Sequence, residues 1–368
     1  MTASPETTRA LGDPLLARSI EVLKAGQAPS GALIASPDFG VYRYAWLRDG
    51  AYCAHALDVA GEHEAAAAWH EWVRRSVEAH RGLIADVTAG VERGDVPPGE
   101  QMPPARYTLD GELETESGDV EPWPNFQIDG YGMWLWSLER HLAGKPLPPA
   151  FRPSVELVAR YLEVCGLLRC WNCWEEYDGG RHASTVAAVL AGLRAAATLL
   201  GDDHWRAAAE APLGELLEHY LVDGRFRRGA EDDRVDGSLL WLSVPFEVLP
   251  RDDPRIRKTV ETVRRDLCGP GGGVHRFLGD TYFGGGQWLL LTSWLAWHEA
   301  LVGDTRAADA AQTWVRAQAL PNGDMPEQVC GHSLDPSMVE PWIERWGRVA
   351  TPLLWSHAMY VIAERARP

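Results

Sequence analysis

Two carboxylates stand side by side in WNCWEEYDGG, residues 171–180: Glu175 and Glu176 follow Trp174 in an aromatic run that closes on paired glycines, just ahead of a long apolar helical pattern. A carboxyl set against indole rings is poorly solvated once ionised, so its pKa tends to rise and it can hold a proton near neutral pH. That is what a general acid needs. A third carboxylate, Glu327, lies far along the chain in PNGDMPEQV, in another loop ahead of another apolar helical pattern. Cleaving a glycosidic bond takes such a pair: one carboxylic acid protonates the leaving oxygen while the other carboxylate activates water or attacks the anomeric carbon. Loops on opposite sides of a pocket suit the wider, inverting separation of roughly 6.5–9.5 Å, which leaves room for a water. We read Glu175 as the acid and Glu327 as the base. Glu176 points away from its chain neighbour and suits a sugar hydroxyl on the leaving-group side, or solvent.

Other residue types in the same kind of loop fit sugar recognition. Arg48 and Asp49 in AWLRDGAY make a charge-assisted donor and acceptor pair for the hydroxyls of a terminal glucose, or a structural ion pair at a helix start. Arg276 and Asp280 in VHRFLGDTY carry the same two readings. Tyr42, Trp46, Trp123 and Trp288 wall a pocket or fill a core; Gln127 and Asp129 bind sugar or cap a helix. Cys170 and Cys173 form a CxxC near His182, but with no second CxxC and no strand ahead of it we assign no metal.

Composition narrows the partners. Lys and Arg total 35 against 52 Asp and Glu, a net charge of −17, which disfavours nucleic acid and anionic membranes because phosphate binding depends on basic patches. A neutral ligand fits better, and 17 tryptophans, several beside polar loop residues, suit sugar rings. MTASPETTRALGDP lacks a basic flank followed by an apolar stretch, so no signal peptide is expected. No apolar run approaches ~20 residues, so no membrane span is expected either. Six scattered cysteines do not resemble a disulfide framework, and a cytoplasmic location is expected.

The elements that must position these residues are helices. Helical periodicity recurs along the chain and alternating strand patterns are nearly absent. The spacing predicts helices near 13–25, 48–60, 62–79, 130–142, 148–165, 184–200, 202–220, 236–248, 254–267, 286–302, 304–319 and 350–365. Every second one is apolar nearly all round, as in STVAAVLAGLRAAATLL, whereas their partners carry a charged face. Helices of the first kind belong inside and the second outside. Six such hairpins predict an all-α fold, an (α/α)6 barrel forming one domain over 13–368 behind a flexible segment 1–12. Pro212 predicts a kink or split in the seventh helix. The long interval 81–129 is read as an excursion with a small β-hairpin in ARYTLDGELE. Each chemistry-bearing loop enters the N-terminal end of an inner helix, so all should open on one face of the toroid.

Taken in order, these motifs resemble glycoside hydrolase family 15, the glucoamylase family, over roughly residues 31–365. YRYAWLRDGAY is similar to the family's glucose-holding loop, which implies that Arg48 and Asp49 hold the non-reducing glucose and that Tyr42 sits beside the oxocarbenium-like centre. WPNFQIDGYG implies a wall at Trp123. CWEEYDGG resembles the motif whose first Glu is the general acid and whose second contacts the next sugar. HRFLGDTYFGGGQW implies substrate contacts from Arg276 and Trp288, MPEQV the general base with Gln328 beside it, and TPLLWSHA a contact from Trp355. Val329 stands where an aromatic is common, and Asn172 where some members have an acid. The resemblance implies an (α/α)6 barrel and inverting exo-hydrolysis that releases β-glucose without metal or cofactor. Neither an N-terminal β-sandwich nor a starch-binding module fits in the chain, so short oligosaccharides are expected over polymer. The chain is similar to the single-domain bacterial members that act on isomaltose, which implies isomaltose first and α-1,4 maltooligosaccharides second as the expected substrates. Two rivals are a trehalase-like member and a sugar-binding toroid without hydrolysis. A lipid- or prenyl-binding toroid predicts an apolar pocket, against loops rich in Asp, Glu, Gln and Arg.

Overall fold

A computed structural model describes residues 13–114, 123, 125–176 and 180–367; the expected flexible segment 1–12 lies outside them. The chain opens with α1 (Pro14–Ala25), α2 (Leu47–Val59), α3 (His63–Ala79) and α4 (Arg81–Glu92). Next come α5 (Asp129–Leu142), α6 (Arg152–Cys165), α7 (Ala183–Leu200), α8 (Asp203–Ala208) and α9 (Glu210–His219). The last five are α10 (Pro254–Leu267), α11 (Leu289–Val302), α12 (Thr305–Gln318), α13 (Val339–Trp346) and α14 (Leu354–Ala366). Among the described residues there are also three short antiparallel pairs: β1 (Ala45–Trp46) with β2 (Arg106–Tyr107), β3 (Leu221–Val222) with β4 (Arg225–Phe226), and β5 (Gln287–Trp288) with β6 (Gln328–Val329).

The apolar helices close a ring. α2 packs on α5, α5 on α7, α7 on a 3₁₀ segment (Gly237–Leu242), that segment on α11, α11 on α14, and α14 back on α2. Outside it, α1 lies on α14, α3 on α2 and α5, α6 and α9 on α7, α10 on the 3₁₀ segment and α12 on α11. This is the (α/α)6 barrel that the alternation of apolar and amphipathic helices predicts. The inner pair α5 and α7 is the tightest joint. A Cβ on Gly132 would fall 2.2 Å from the carbonyl oxygen of Ala188, and one on Gly192 would fall 2.6 Å from the Cα of Gly132, so these two glycines let the backbones touch. α7 is apolar and long enough for a membrane span, which the run-length reading of the sequence missed, but 89% of it is buried inside the protein. It is a core helix.

Several expectations change. The eighth helix, expected at 236–248, is only the 3₁₀ segment Gly237–Leu242. Pro245 supplies no N–H to continue it, and Glu247 turns left-handed at φ 42°. The seventh divides into α8 and α9 at Ala209, three residues before Pro212. The interval 81–129 begins with α4, whose Ile84, Val87 and Val91 pack inward and whose glycines hid it from the sequence reading. The hairpin does not project: Thr108 and Glu112 close a turn, but β2 pairs with β1, Trp46 opposite Arg106. α13 lies in a Pro- and Gly-punctuated stretch and was not expected.

Some outer helices carry side-chain caps, although α3, α6 and α9 do not. Outer helices α1, α8, α10 and α12 begin on aspartates, Asp13, Asp202, Asp253 and Asp304, whose side chains accept from first-turn N–H groups. No side-chain cap closes inner helices α2, α5, α7, α11 and α14. Their positive ends face the site, where acidic groups gather.

Candidate active site

The loops that lead into the inner helices meet around one cavity of about 590 Å³. Tyr42, Trp46, Arg48, Asp49, Trp123, Trp174, Glu175, Glu176, Arg276, Trp288, Glu327 and Trp355 all line it. Four further candidates, expected to contact sugar, do not line it: Gln127, Asp129, Asp280 and Gln328 are at most 1% exposed and bond to neighbouring residues of the site. Gln127 accepts from Arg48 Nη1 at 2.6 Å and donates to Glu175 Oε1 at 2.8 Å. Asp129 accepts from the same Arg48 nitrogen at 3.1 Å. Gln328 Oε1 accepts from the backbone of Gly286 at 3.1 Å, and β5–β6 pairing sets Trp288 opposite Gln328. The loop that carries Glu327 is thereby tied to the one that carries Trp288.

Glu175 sits on a strained turn. Its φ is 62°, in the left-handed region that costs a non-glycine residue roughly 1–3 kcal/mol. Asn172 compensates: its carbonyl accepts from Glu175 N, and its side-chain oxygen accepts from the backbone N–H groups of Trp174 and Glu176. The Glu175 carboxyl takes Trp46 Nε1–H and Gln127 Nε2–H, each at 2.8 Å, with Arg48 Nη2 at 3.6 Å. All three converge on Oε1, so the second oxygen is the one available to the cavity. Trp46 is braced from behind by Arg106, whose guanidinium lies 4.9 Å from its ring centre and 3.9 Å from that of Trp123.

Glu327 is 4% exposed. Tyr42 donates its hydroxyl to Oε1 at 3.2 Å and lies 3.1 Å from the hydroxyl of Tyr282, while Oε2 is buried with no partner in the protein. Burial pushes this carboxyl up to about 8; Arg276 and the Tyr42 hydrogen bond pull it down, and the acids Asp49 and Glu175 add to the rise. Burial likewise raises Asp49 to about 7 against the pull of Arg48. Glu327 and Asp49 are thus two carboxyls of this cavity that burial pushes strongly upward.

In the unfolded chain Glu327 titrates near the ordinary 4.5. Because its folded value is raised, the folded state keeps a proton that the unfolded state releases, so this group's contribution is intact below about 4.5 and declines as pH rises toward 8. Glu327→Gln abolishes that decline. The variant should unfold with wild-type stability near pH 4.5 and exceed it by ~2 kcal/mol or more at pH 8, read from denaturant titrations at each pH.

Arg276 makes a two-pronged bond to Asp280, 2.8 and 2.6 Å, and donates to Glu176 Oε1 at 2.5 Å. Burial raises the Glu176 carboxyl while Arg276 opposes the rise. Trp174 and Trp288 flank this guanidinium at 5.4 and 5.2 Å. Tyr282, Phe39, Arg345 and Trp346 also line the cavity and were not among the candidates. Tyr282 stands inside a motif already singled out. Arg345 and Trp346 end α13, where a Pro- and Gly-broken pattern gave no periodic signal. Cys170 and Cys173 are buried free thiols, and burial pushes Cys170 up to about 12, away from the thiolate that a metal needs.

Comparisons with known proteins bear on the family and the fold. The family described as Glycosyl hydrolases family 15 matches residues 13–321. Isomaltose glucohydrolase of Kribbella flavida is 41% identical over 356 residues, 95% of this chain and 91% of its own. A trehalase of Mycolicibacterium smegmatis is 28% identical over 307 residues, 70% of this chain and 42% of its own. A solved wild-type glycosidase structure superposes with a TM-score of 0.91 at 38% identity, covering 100% of both chains, and a glycosidase variant in complex with glucose matches equally well. A bacterial glucoamylase complexed with acarbose shares the fold, with a TM-score of 0.74 at 21% identity over 97% of this chain and 56% of its own. The family match spans most of the chain and the Kribbella relative nearly all of it: this protein belongs to glycosyl hydrolase family 15 and is a glycoside hydrolase.

Proposed function

We propose that the enzyme removes the non-reducing-end glucose of short α-glucosides with inversion, releasing β-glucose, and that isomaltose is its preferred substrate. The observation that carries the reading is the placement of Glu175 and Glu327 on one cavity, brought there by separate loops at the N-terminal ends of α7 and α14. In this mechanism the free oxygen of Glu175 protonates the glycosidic oxygen as the bond breaks. Glu327, in its ionised form, which gains population as pH rises toward about 8, takes a proton from water, which attacks the anomeric carbon from the other face. The unpartnered Oε2 of Glu327 is an acceptor suited to that water. Arg48 and Asp49 hold hydroxyls of the departing glucose unit, and the Tyr42 hydroxyl lies beside the base to meet positive charge developing on the ring. Glu176, fixed by Arg276, faces the second sugar.

Isomaltose is favoured because it names the activity of the relative that is 41% identical. Short α-1,4 maltooligosaccharides are the alternative, and trehalose is a third candidate because trehalases also match. Six unpaired thiols support a reducing, cytoplasmic setting. Proton NMR of the enzyme with isomaltose, maltose and trehalose tests both halves of the proposal. Fastest release from isomaltose, with the β-anomer of glucose appearing first and α-glucose only by mutarotation, is the expected result. α-Glucose appearing first would refute inversion, and faster cleavage of maltose or trehalose would refute the substrate assignment.

A further inference from the structure

A second cluster of chemistry-bearing side chains lies at the other end of the barrel. Asp58 is near the C-terminus of α2 and His141 near that of α5, while His70 is in the first half of α3. The step from Asp49 to Asp58 along α2, at 1.5 Å per residue, sets this cluster about 13 Å along the axis from the sugar cavity. One ligand atom from each of Asp58, His70 and His141 lies within 4.8 Å of the others. His141 Nδ1 is 3.0 Å from both oxygens of Asp58, and the rings of His141 and His70 are centred 4.9 Å apart.

A hydrogen-bonded structural role accounts for part of this. Asp58 is satisfied by His141 and by His63, whose Nδ1 lies 3.0 Å from Oδ1 on the solvent side. It does not account for His70, which is 0% exposed and has no hydrogen-bond partner at either Nδ1 or Nε2. Buried polar side chains are almost always paired, so an imidazole with two orphaned nitrogens needs a reason. A metal ion taking the lone pair of one of the two nitrogens supplies a reason for that one. Two imidazole nitrogens and one carboxylate oxygen suit zinc and its first-row neighbours, whereas Ca²⁺ and Mg²⁺ favour all-oxygen sets. Ligands at ~2.1 Å span at most ~4.2 Å, so binding requires the three groups to close by under about 1 Å. We propose that Asp58, His70 and His141 bind a divalent transition metal ion of the Zn²⁺ class, which ties inner helices α2 and α5 to outer helix α3, with water completing the coordination.

The test uses the full-length protein stripped with a chelator and then given Co²⁺ or Zn²⁺ alone. Co²⁺ should bind in a one-to-one ratio with visible d–d absorption that Zn²⁺ abolishes, and saturating Zn²⁺ should raise the melting midpoint by about 3 °C or more. Asp58→Asn and His141→Gln should each weaken Co²⁺ binding at least ~10-fold. These two positions are only partly buried, so they keep the test sharp if His70→Gln fails to fold. No cobalt spectrum and no thermal shift at millimolar metal would overturn the proposal. So would binding that survives unchanged in both variants.

Discussion

Glu327→Gln is expected to lower kcat on isomaltose by at least ~10³-fold while leaving glucose affinity within a few-fold of wild type. The reason is the position of the carboxyl. Oε1 is already occupied by the Tyr42 hydroxyl, and Oε2 is buried without a partner, so the group offers one basic oxygen and no obvious structural service. Glutamine preserves the shape and the acceptor for Tyr42 but cannot take a proton from water. A structural role predicts the opposite combination of effects. Removing a supporting residue would lower stability together with activity, whereas this variant should be inactive and, near pH 8, more stable than wild type because burial lifts the native carboxyl to about 8. Isothermal titration with glucose, steady-state turnover and denaturant unfolding on one preparation separate the cases. Ordinary turnover would remove Glu327 from the role of base; lost turnover with lost stability would reassign it to the scaffold.

How much of this site could be read from the chain depends on which physical signal each residue left. Glu175 and Glu327 were legible because each stands in an aromatic or Pro- and Gly-marked loop immediately before an apolar helix, and inner helices of a closed ring all present the same end to the cavity. The same logic put Trp46 and Trp288 in such loops, while Trp355 was reached only through the family resemblance; all three line the cavity. It could not divide Trp46 from Trp69, Trp134 or Trp294, which are fully buried core residues, since an indole has the same pattern in either place. Nor could it say that Gln127 and Asp280 act from behind the wall. Polar residues two to four positions from a lining residue face it or turn away according to the exact loop geometry, and here both are engaged by arginines, Arg48 and Arg276. Fold errors have local causes. Pro245 cut the eighth helix to a 3₁₀ segment, and the glycines of α4 diluted a helical period that its packing onto α6 restores.

The strain at Glu175 sharpens what its replacement should do. A non-glycine residue at φ 62° is retained when the surrounding structure over-determines it, and here Asn172 fixes the turn while Trp46 and Gln127 fix one carboxyl oxygen. Glu175→Gln keeps an oxygen for those two donors, so the turn and the cavity should persist. What disappears is the proton for the leaving group. With isomaltose, whose departing alkoxide is very basic, kcat should fall at least ~10³-fold. With α-glucosyl fluoride, whose leaving group departs without protonation, the loss should be no more than ~10-fold, because the water and Glu327 still do their part. Glu327→Gln should instead be impaired on both substrates, since each needs an activated water. The two variants therefore form a diagnostic pair: selective rescue of Glu175→Gln by the better leaving group identifies the acid. Equal losses on isomaltose and the fluoride would mean that Glu175 supports binding or the turn, and the proton donor would then have to be sought in its neighbour Glu176.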